Sequence, residues 1–507
     1  MASDLVIVYH RQPYEEVEDA DGKVTFQENK SPNGIVPTLK SFFGAVDHGA
    51  WIAWKLAEDS ANPGFDQVVE IDDAYGKYSV SRLPLTKEQV SEFYHITSKS
   101  AFWPILHSFK ERYDYDPVNW PNFREVNWRF AEAAAAEASE GALVWVHDYN
   151  LWLVPGYLRQ MRPDLRIAFF HHTPFPSADV FNVLPWRREI VESLLACDVV
   201  GFHIPRYATN FVSVARSLLD VTVEDRETVG PHLTFEGTAL NERTVPTRIS
   251  YQGRDTEISV APVGVDVPFV ERNADSPETT ARAAQIREEM GGAQLILSVG
   301  RTDYTKGGIE QLASFERLLE KHPDLVGKVR LMHVSVAANR NMTAYEDIQN
   351  DIEQVTGRIN GRFGRLDWQP IALISRAIPF AELVAYYRAA DVAWITPLAD
   401  GMNLVAKEFV ASRTDGDGVL VLSEFAGAAV ELGSAVITNP FSNRSMDSAI
   451  HTALTMPEDE RRQRMADLRR AVSRYDVRAW GRAIGADLGV KNDDARQGDG
   501  GNAPAAA

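Results

Sequence analysis

Two short stretches combine cations, carboxylates and glycines in a way that suits a phosphorylated ligand. In LSVGRTDYTKGGIEQL, residues 297–312, Arg301 and Lys306 follow an apolar run and precede an amphipathic one. Two cations at a strand end can stabilise the negative charge that develops on a departing diphosphate. Gly307 and Gly308 admit close backbone approach. The segment lacks the glycine that a P-loop carries before its lysine, so that reading is rejected. A solvated turn bearing surface charges is the plain alternative. In ITPLADGMNLVAKEFVASR, residues 395–413, a strand ends at Thr396, Pro397 breaks it, and Asp400 and Gly401 lead into a helix near Asn403. The first N–H groups of a helix are unpaired and its dipole is positive at that end, so this loop can hold a diphosphate. Glu408 puts a second carboxylate two turns along the helix; a capped helix with a solvated Glu reads the same way.

The N-terminal half contributes YHRQP, with Arg11 just after a first strand, and SPNGIVPTL, where Asn33–Gly34 opens a helix. Arg11 can grip a phosphate bidentately, whereas Asn-Gly alone is a turn signal. WVHDYNL and FFHHTPFP place His147, Asp148, His171 and His172 at adjacent strand ends, with His203 near a third. No HExxH or His-x-His spacing supports a metal there, and polar sugar contacts are the preferred reading. In FYHITSKSAFWPILH, Tyr94 and Trp103 are either core aromatics or a sugar platform.

These residues need elements that present them together. Apolar runs alternate with amphipathic segments, the pattern of parallel sheets. Strands are expected at Leu5–Tyr9, Ala142–His147, Arg166–His171 and Val199–His203, with a helix over Arg187–Ala196. A second series comprises Leu295–Val299, Val329–Val334, Val392–Thr396, Val419–Leu422 and Ala435–Thr438, with helices over Tyr345–Thr356 and Ala381–Ala390. Residues 221–257 read as a β excursion and Glu458–Leu488 as a long amphipathic helix. Two doubly wound α/β sheets meeting near residue 263 is the expected architecture. Ligands of such sheets bind beyond the strands' carboxyl ends, so the site belongs in the cleft between them.

Composition narrows the classes. With 507 residues, two domains are the default. Lys plus Arg number 52 against 71 Asp plus Glu, a net charge of −19 that disfavours nucleic acid and membrane surfaces as partners. The single cysteine, Cys197, lies among apolar neighbours and reads as buried and inert. The N-terminus shows no signal peptide and no run reaches membrane-spanning length, so a cytoplasmic protein is expected. GxGxxG and GxSxG are absent, which weakens oxidoreductase and serine-hydrolase readings.

In combination, DGMNLVAKE, RTDYTKG, HDYNL and FFHHTPFP resemble the trehalose-6-phosphate synthase family of retaining glycosyltransferases. The resemblance runs from Leu5 to the helix near Trp480. It implies a GT-B fold, two Rossmann-like doubly wound domains facing across a cleft. Residues 1–262 would bind the acceptor and 263–465 the nucleotide sugar. Residues 466–490 would form a helix crossing back to the N-terminal domain, and 491–507 a disordered tail.

Further segments, among them KSPNGIVPTLKSFF and WIAWK, are closer to members of the family that join ADP-glucose to sn-glycerol 3-phosphate in compatible-solute synthesis. The likeness assigns Arg301 and Lys306 to the donor diphosphate, Asp400 to the transferred glucose and the amides of Asn403, Leu404 and Val405 to a phosphate cradle. Glu408 would bind the ribose, Asn33 and Gly34 the loop over the donor, and Ile378 joins the donor side. His172 would contact the sugar near the reacting carbon. Arg11, Tyr94, Trp103 and Asp148 would serve the acceptor, with Arg340 standing displaced in SVAANRNMTAY where the family grips a sugar phosphate. Asn33 also departs from a usual Gly-Gly pair. The resemblance implies no cofactor and no metal, and the oligomeric state stays open. Competing readings are a trehalose-6-phosphate synthase using glucose 6-phosphate, a pseudo-glycosyltransferase, and a silent sugar-phosphate-binding protein on the same fold.

Overall fold

A computed structural model describes residues 2–18, 24–28, 35–337 and 343–489. Its strands fall into a ten-stranded sheet, a six-stranded sheet and a small hairpin. In the large sheet, Ser3–Val8, Ala138–His147, Arg166–His171 and Val199–Phe202 lie side by side and parallel. Their runs (LVIV, ALVWVH, IAFFH, VVGF) are continuously apolar because helices cover both faces. From Ser3–Val8 the sheet grows the other way through Gly49–Leu56 and Gly76–Leu85 and ends on antiparallel Val68–Asp73. The strand order therefore reverses between Ser3–Val8 and Ala138–His147. Such a reversal opens a crevice at the carboxyl ends, and Arg11 and Asp148 stand just past those two ends. The opposite edge is the expected β excursion, Thr222–Thr228, Thr244–Tyr251 and Arg254–Val260.

The six-stranded sheet repeats the device with all strands parallel. Gln294–Thr302 is flanked by Val329–Ala337 and then Ile371–Ile374 on one side. Val392–Ile395, Val419–Ser423 and Val436–Thr438 follow on the other. Its reversal lies between Gln294–Thr302 and Val392–Ile395, whose ends carry Arg301, Lys306 and Asp400. Sequence periodicity located five of these strands to within a few residues and missed the short edge strand Ile371–Ile374, which is only partly buried.

One expectation is corrected. The segment read as a single long helix is two, Glu458–Arg474 and Val477–Leu488. Asp476 caps the second, its carboxylate accepting from the Ala479 N–H at 2.7 Å. The linker packs against the break: a Cβ on Gly264 would lie 2.0 Å from the Tyr475 carbonyl oxygen, and the Val477 N–H donates to the Val265 carbonyl at 3.1 Å. Residues 466–474 thus finish the first helix, which stays with the second sheet's half through Arg469–Glu271. Val477–Leu488 alone packs on the large sheet, where Trp480 stacks on Trp145 at 5.7 Å and Arg166 donates to the Leu488 carbonyl. Cys197 is buried, and burial pushes its thiol well above the ordinary range. Among the described residues no helix is long and apolar enough to cross a membrane.

Candidate active site

The second sheet's reversal point gathers the charged residues of both sequence stretches. Gly307 sits at φ +69°, a left-handed turn that lets the chain leave the strand and start helix Gly308–Lys321. That turn aims Lys306 across the crevice, with its Nζ 2.6 Å from Asp400 Oδ2. Asn403, in left-handed conformation at φ 76°, caps helix Leu404–Ser412 by accepting from the Ala406 N–H. Its Nδ2 donates to Asp400 Oδ2 at 3.1 Å. Burial works to raise the Asp400 pKa, but the Lys306 ammonium and the Asn403 amide outweigh it and hold it low. Asp400 is therefore a fixed anion beside a helix start. The first-turn amides of Leu404 and Val405 have no carbonyl four residues back to pair with.

Glu408 is not solvated. It is 7% exposed, and the Tyr387 hydroxyl donates to its Oε2 at 3.0 Å. Burial pushes its carboxyl up to about 7, with the Tyr387 bond working the other way. Stability contributed by this group is present below its unfolded pKa and is lost as pH rises through about 7. Unliganded Glu408→Gln should accordingly melt with the parent near about pH 5 and above it near about pH 8, a gap of up to about 3 kcal/mol. Equal melting-temperature differences at both pH values would refute the buried-acid assignment.

The large sheet supplies the facing wall. Tyr94 hydrogen-bonds the Arg11 guanidinium, and the Arg301 guanidinium lies 5.6 Å from the Trp103 ring. Asp148 is held at φ 71°, with its carboxylate accepting from the Tyr149 N–H. Burial raises its pKa to about 6. His172 Nε2 is 3.1 Å from His147 Nδ1. Burial, then the neighbouring His147, drives the His172 pKa well below the ordinary imidazole value, so the pair is neutral near pH 7. Among the described residues no group of three His, Cys, Asp or Glu is placed to hold a metal ion.

The structure thus brings Arg301, Lys306, Asp400, Asn403, Leu404, Val405 and Glu408 to one wall, and Arg11, Tyr94, Trp103, Asp148 and His172 to the other. Ile378 is half-buried against the core beyond strand Ile371–Ile374. Asn33, Gly34, Arg340 and the tail 491–507 lie outside the described residues. Three residues went unread in the sequence. Asp303 is buried between the two cations; burial would raise its pKa, but Arg301 and Lys306 outweigh it and hold it low. His107 Nδ1 lies 2.9 Å from the Trp103 carbonyl oxygen. Lys99 lies 3.9 Å over the Trp103 ring. Asp303 was legible, since it stands inside the Arg301–Lys306 motif.

The two walls touch through backbone. The Tyr207 hydroxyl donates to the Asp400 carbonyl at 3.1 Å, and a Cβ on Gly401 would lie 2.6 Å from the His172 carbonyl oxygen. A crevice between two doubly wound sheets, cationic on one side and aromatic and polar on the other, suits transfer from a nucleotide sugar. Comparison with known families decides the class, as the profile of Glycosyltransferase family 20 matches residues 3–489.

The chain belongs to glycosyltransferase family 20.

It is 50% identical over 480 residues to a glucosylglycerol-phosphate synthase of Synechocystis sp., covering 95% of this chain and 96% of that one. A trehalose-6-phosphate synthase of Mycolicibacterium vanbaalenii is 40% identical over 485 residues, covering 95% of each. A Burkholderia xenovorans trehalose-phosphate synthase solved in complex with glucose-6-phosphate matches with a TM-score of 0.81 at 30% identity, over 96% of this chain and all of that one. The architecture is GT-B, and the family 20 chain is a hexosyltransferase.

Proposed function

We propose that this family 20 chain is a retaining glucosyltransferase that moves glucose from ADP-glucose onto sn-glycerol 3-phosphate, giving glucosylglycerol phosphate. The observation that carries the reading is the convergence across the crevice of Arg301, Lys306 and Asp400 with Arg11, Tyr94 and Trp103. Identity supports the acceptor, at 50% to a glucosylglycerol-phosphate synthase against 40% to a trehalose-6-phosphate synthase. Residues 1–262 hold the acceptor and 263–465 the donor.

The donor diphosphate rests on Arg301, Lys306 and the amides of Asn403, Leu404 and Val405. Asp400 holds a glucose hydroxyl, and Glu408 the ribose. Ile378, Asn33 and Gly34 are assigned to the donor and Arg340 to the acceptor. The bond from the anomeric carbon to the diphosphate oxygen breaks as the acceptor hydroxyl bonds to that carbon from the same face. The departing phosphate oxygen takes the hydroxyl proton. His172, neutral beside His147, accepts or donates a hydrogen bond near the reacting carbon without competing for that proton. The developing charge is met by fixed cations and helix amides, which need no reorganisation at the moment of reaction. The reading assigns no metal or cofactor to the reaction, and the protein acts in the cytoplasm.

Purified protein given ADP-, UDP- or GDP-glucose with glycerol 3-phosphate or glucose 6-phosphate tests this directly. Glucosylglycerol phosphate from ADP-glucose, undiminished by EDTA, is the expected product. Product from glucose 6-phosphate alone would make the chain a trehalose-6-phosphate synthase. No product from either would leave a sugar-phosphate-binding protein.

A further inference from the structure

We propose that Lys99 receives the phosphate of the acceptor and sets acceptor choice, an inference that rests on the acceptor reading above. Lys99 belongs to the helical segment Ser91–Phe102, which is wound more widely than an α-helix. Hydroxyl groups hold the wide turns by bonding five residues back. Thr97 donates to the Glu92 carbonyl at 2.8 Å, Ser98 to Phe93 at 2.9 Å and Ser100 to His95 at 3.2 Å. A repeat near five residues stacks Tyr94 and Lys99 on one face, and Trp103 follows on the next turn. The Lys99 ammonium lies 5.6 Å from the Tyr94 ring and 3.9 Å from the Trp103 ring. Both aromatics were already placed on the acceptor side.

Among the described residues no carboxylate forms an ion pair with this lysine. Among the described residues Lys99, Arg11 and Arg301 take part in none of the ion pairs, although all three border the same space. Asp303 and Asp148 act on Lys99 only at longer range, with Arg301 and Arg11 opposing them. Burial, then Arg301, lowers the Lys99 pKa to about 7. A half-buried ammonium flanked by two guanidinium groups is costly unless an anion arrives. The indole N–H of Trp103, itself buried and without a partner, offers a further donor there. A phosphate seated on these groups gains charge-assisted hydrogen bonds from both halves of the molecule. The ammonium, seated over the indole, also takes up room there, which favours a three-carbon acceptor over a hexose phosphate.

The test compares Lys99→Gln and Lys99→Arg in the full-length enzyme, after wild-type turnover with glycerol 3-phosphate has been established. Lys99→Gln is expected to raise KM for glycerol 3-phosphate about ten- to a hundredfold, with kcat and donor KM nearly unchanged. Lys99→Arg should recover most of that affinity, and the preference of Lys99→Gln should shift toward glucose 6-phosphate. An unchanged acceptor KM in Lys99→Gln, or a defect confined to donor KM, overturns the proposal. If the wild type makes nothing from glycerol 3-phosphate, the acceptor reading fails instead. Calorimetric binding of inorganic phosphate to the ADP-loaded wild type and Lys99→Gln then decides Lys99 by itself: weaker binding by the variant supports its phosphate role, and equal binding ends it.

Discussion

Arg301→Ala and Lys306→Ala are each expected to lower kcat by about a hundred- to a thousandfold, with much smaller changes in acceptor KM. Arg301 is the penultimate residue of strand Gln294–Thr302 and Lys306 follows just past its carboxyl end, where the donor diphosphate would leave. Charge on that group is greatest in the transition state, so losing a cation costs turnover more than ground-state binding. Lys306 carries a second consequence. Its removal strands the Asp400 carboxylate, which is only 14% exposed and loses its counter-ion. The double variant Lys306→Ala/Asp400→Asn, measured beside Asp400→Asn alone, separates the two effects. If the stranded carboxylate caused the loss, the double variant would match Asp400→Asn; if the leaving-group charge matters, it is slower still. Removing Arg301 leaves buried Asp303 with Lys306 still beside it, and turnover of Arg301→Ala within about threefold of wild type would remove the leaving-group assignment outright.

The parts of this fold that were legible are those whose sequence pattern reflects burial alone. Arg166–His171 and Val199–Phe202 lie mid-sheet, covered on both faces, and appear as unbroken apolar runs. Gly76–Leu85 and Val68–Asp73 escaped because an edge hairpin mixes polar residues into its faces. The break at Tyr475–Asp476 was invisible for a different reason. Amphipathic periodicity continues through it, and the linker at Gly264 that packs against it lies more than two hundred residues earlier.

The site divides the same way. Arg301, Lys306 and Asp400 could be grouped from sequence because each stands where an apolar strand run ends and a helix begins, and parallel sheets bring such ends together. Glu408 was ambiguous, since helical spacing cannot say which face is buried; Tyr387 across the helix interface decides it. Lys99 was unreadable because its alignment with Tyr94 is set by wide helical winding: at 3.6-residue periodicity Lys99 and Trp103, four residues apart, share a face, but Tyr94 falls on the far side. The histidines read from sequence as sugar contacts in preference to metal ligands; what the sequence could not show is that burial and the His147–His172 contact keep that pair neutral.

Gly401→Ala should be the most damaging substitution that changes no charge and no hydrogen-bonding side chain. Gly401 is pressed between the two halves: its Cβ would stand 2.6 Å from the His172 carbonyl oxygen and 3.2 Å from Thr173 backbone atoms. On its other side a Cβ on Gly427 would meet the Gly401 carbonyl oxygen at 2.0 Å, so that loop is packed as tightly. Every blocking atom is main chain, so no side chain can rotate away. Relief requires the loop carrying Asp400 to retreat from the strand end carrying His172. A retreat of about 1 Å at reacting groups costs on the order of a hundredfold in rate. We therefore expect kcat/KM to fall by about that factor while the donor-side fold survives, with donor affinity reduced far less than turnover. Gly357→Ala is the matched control. It lies within helix Thr343–Phe363 with nothing within 4 Å of the added methyl, so it should stabilise the protein by about 0.5–1 kcal/mol and leave kcat alone. Wild-type turnover in Gly401→Ala, measured beside that control, would mean that the two walls need not meet at this point for transfer to occur.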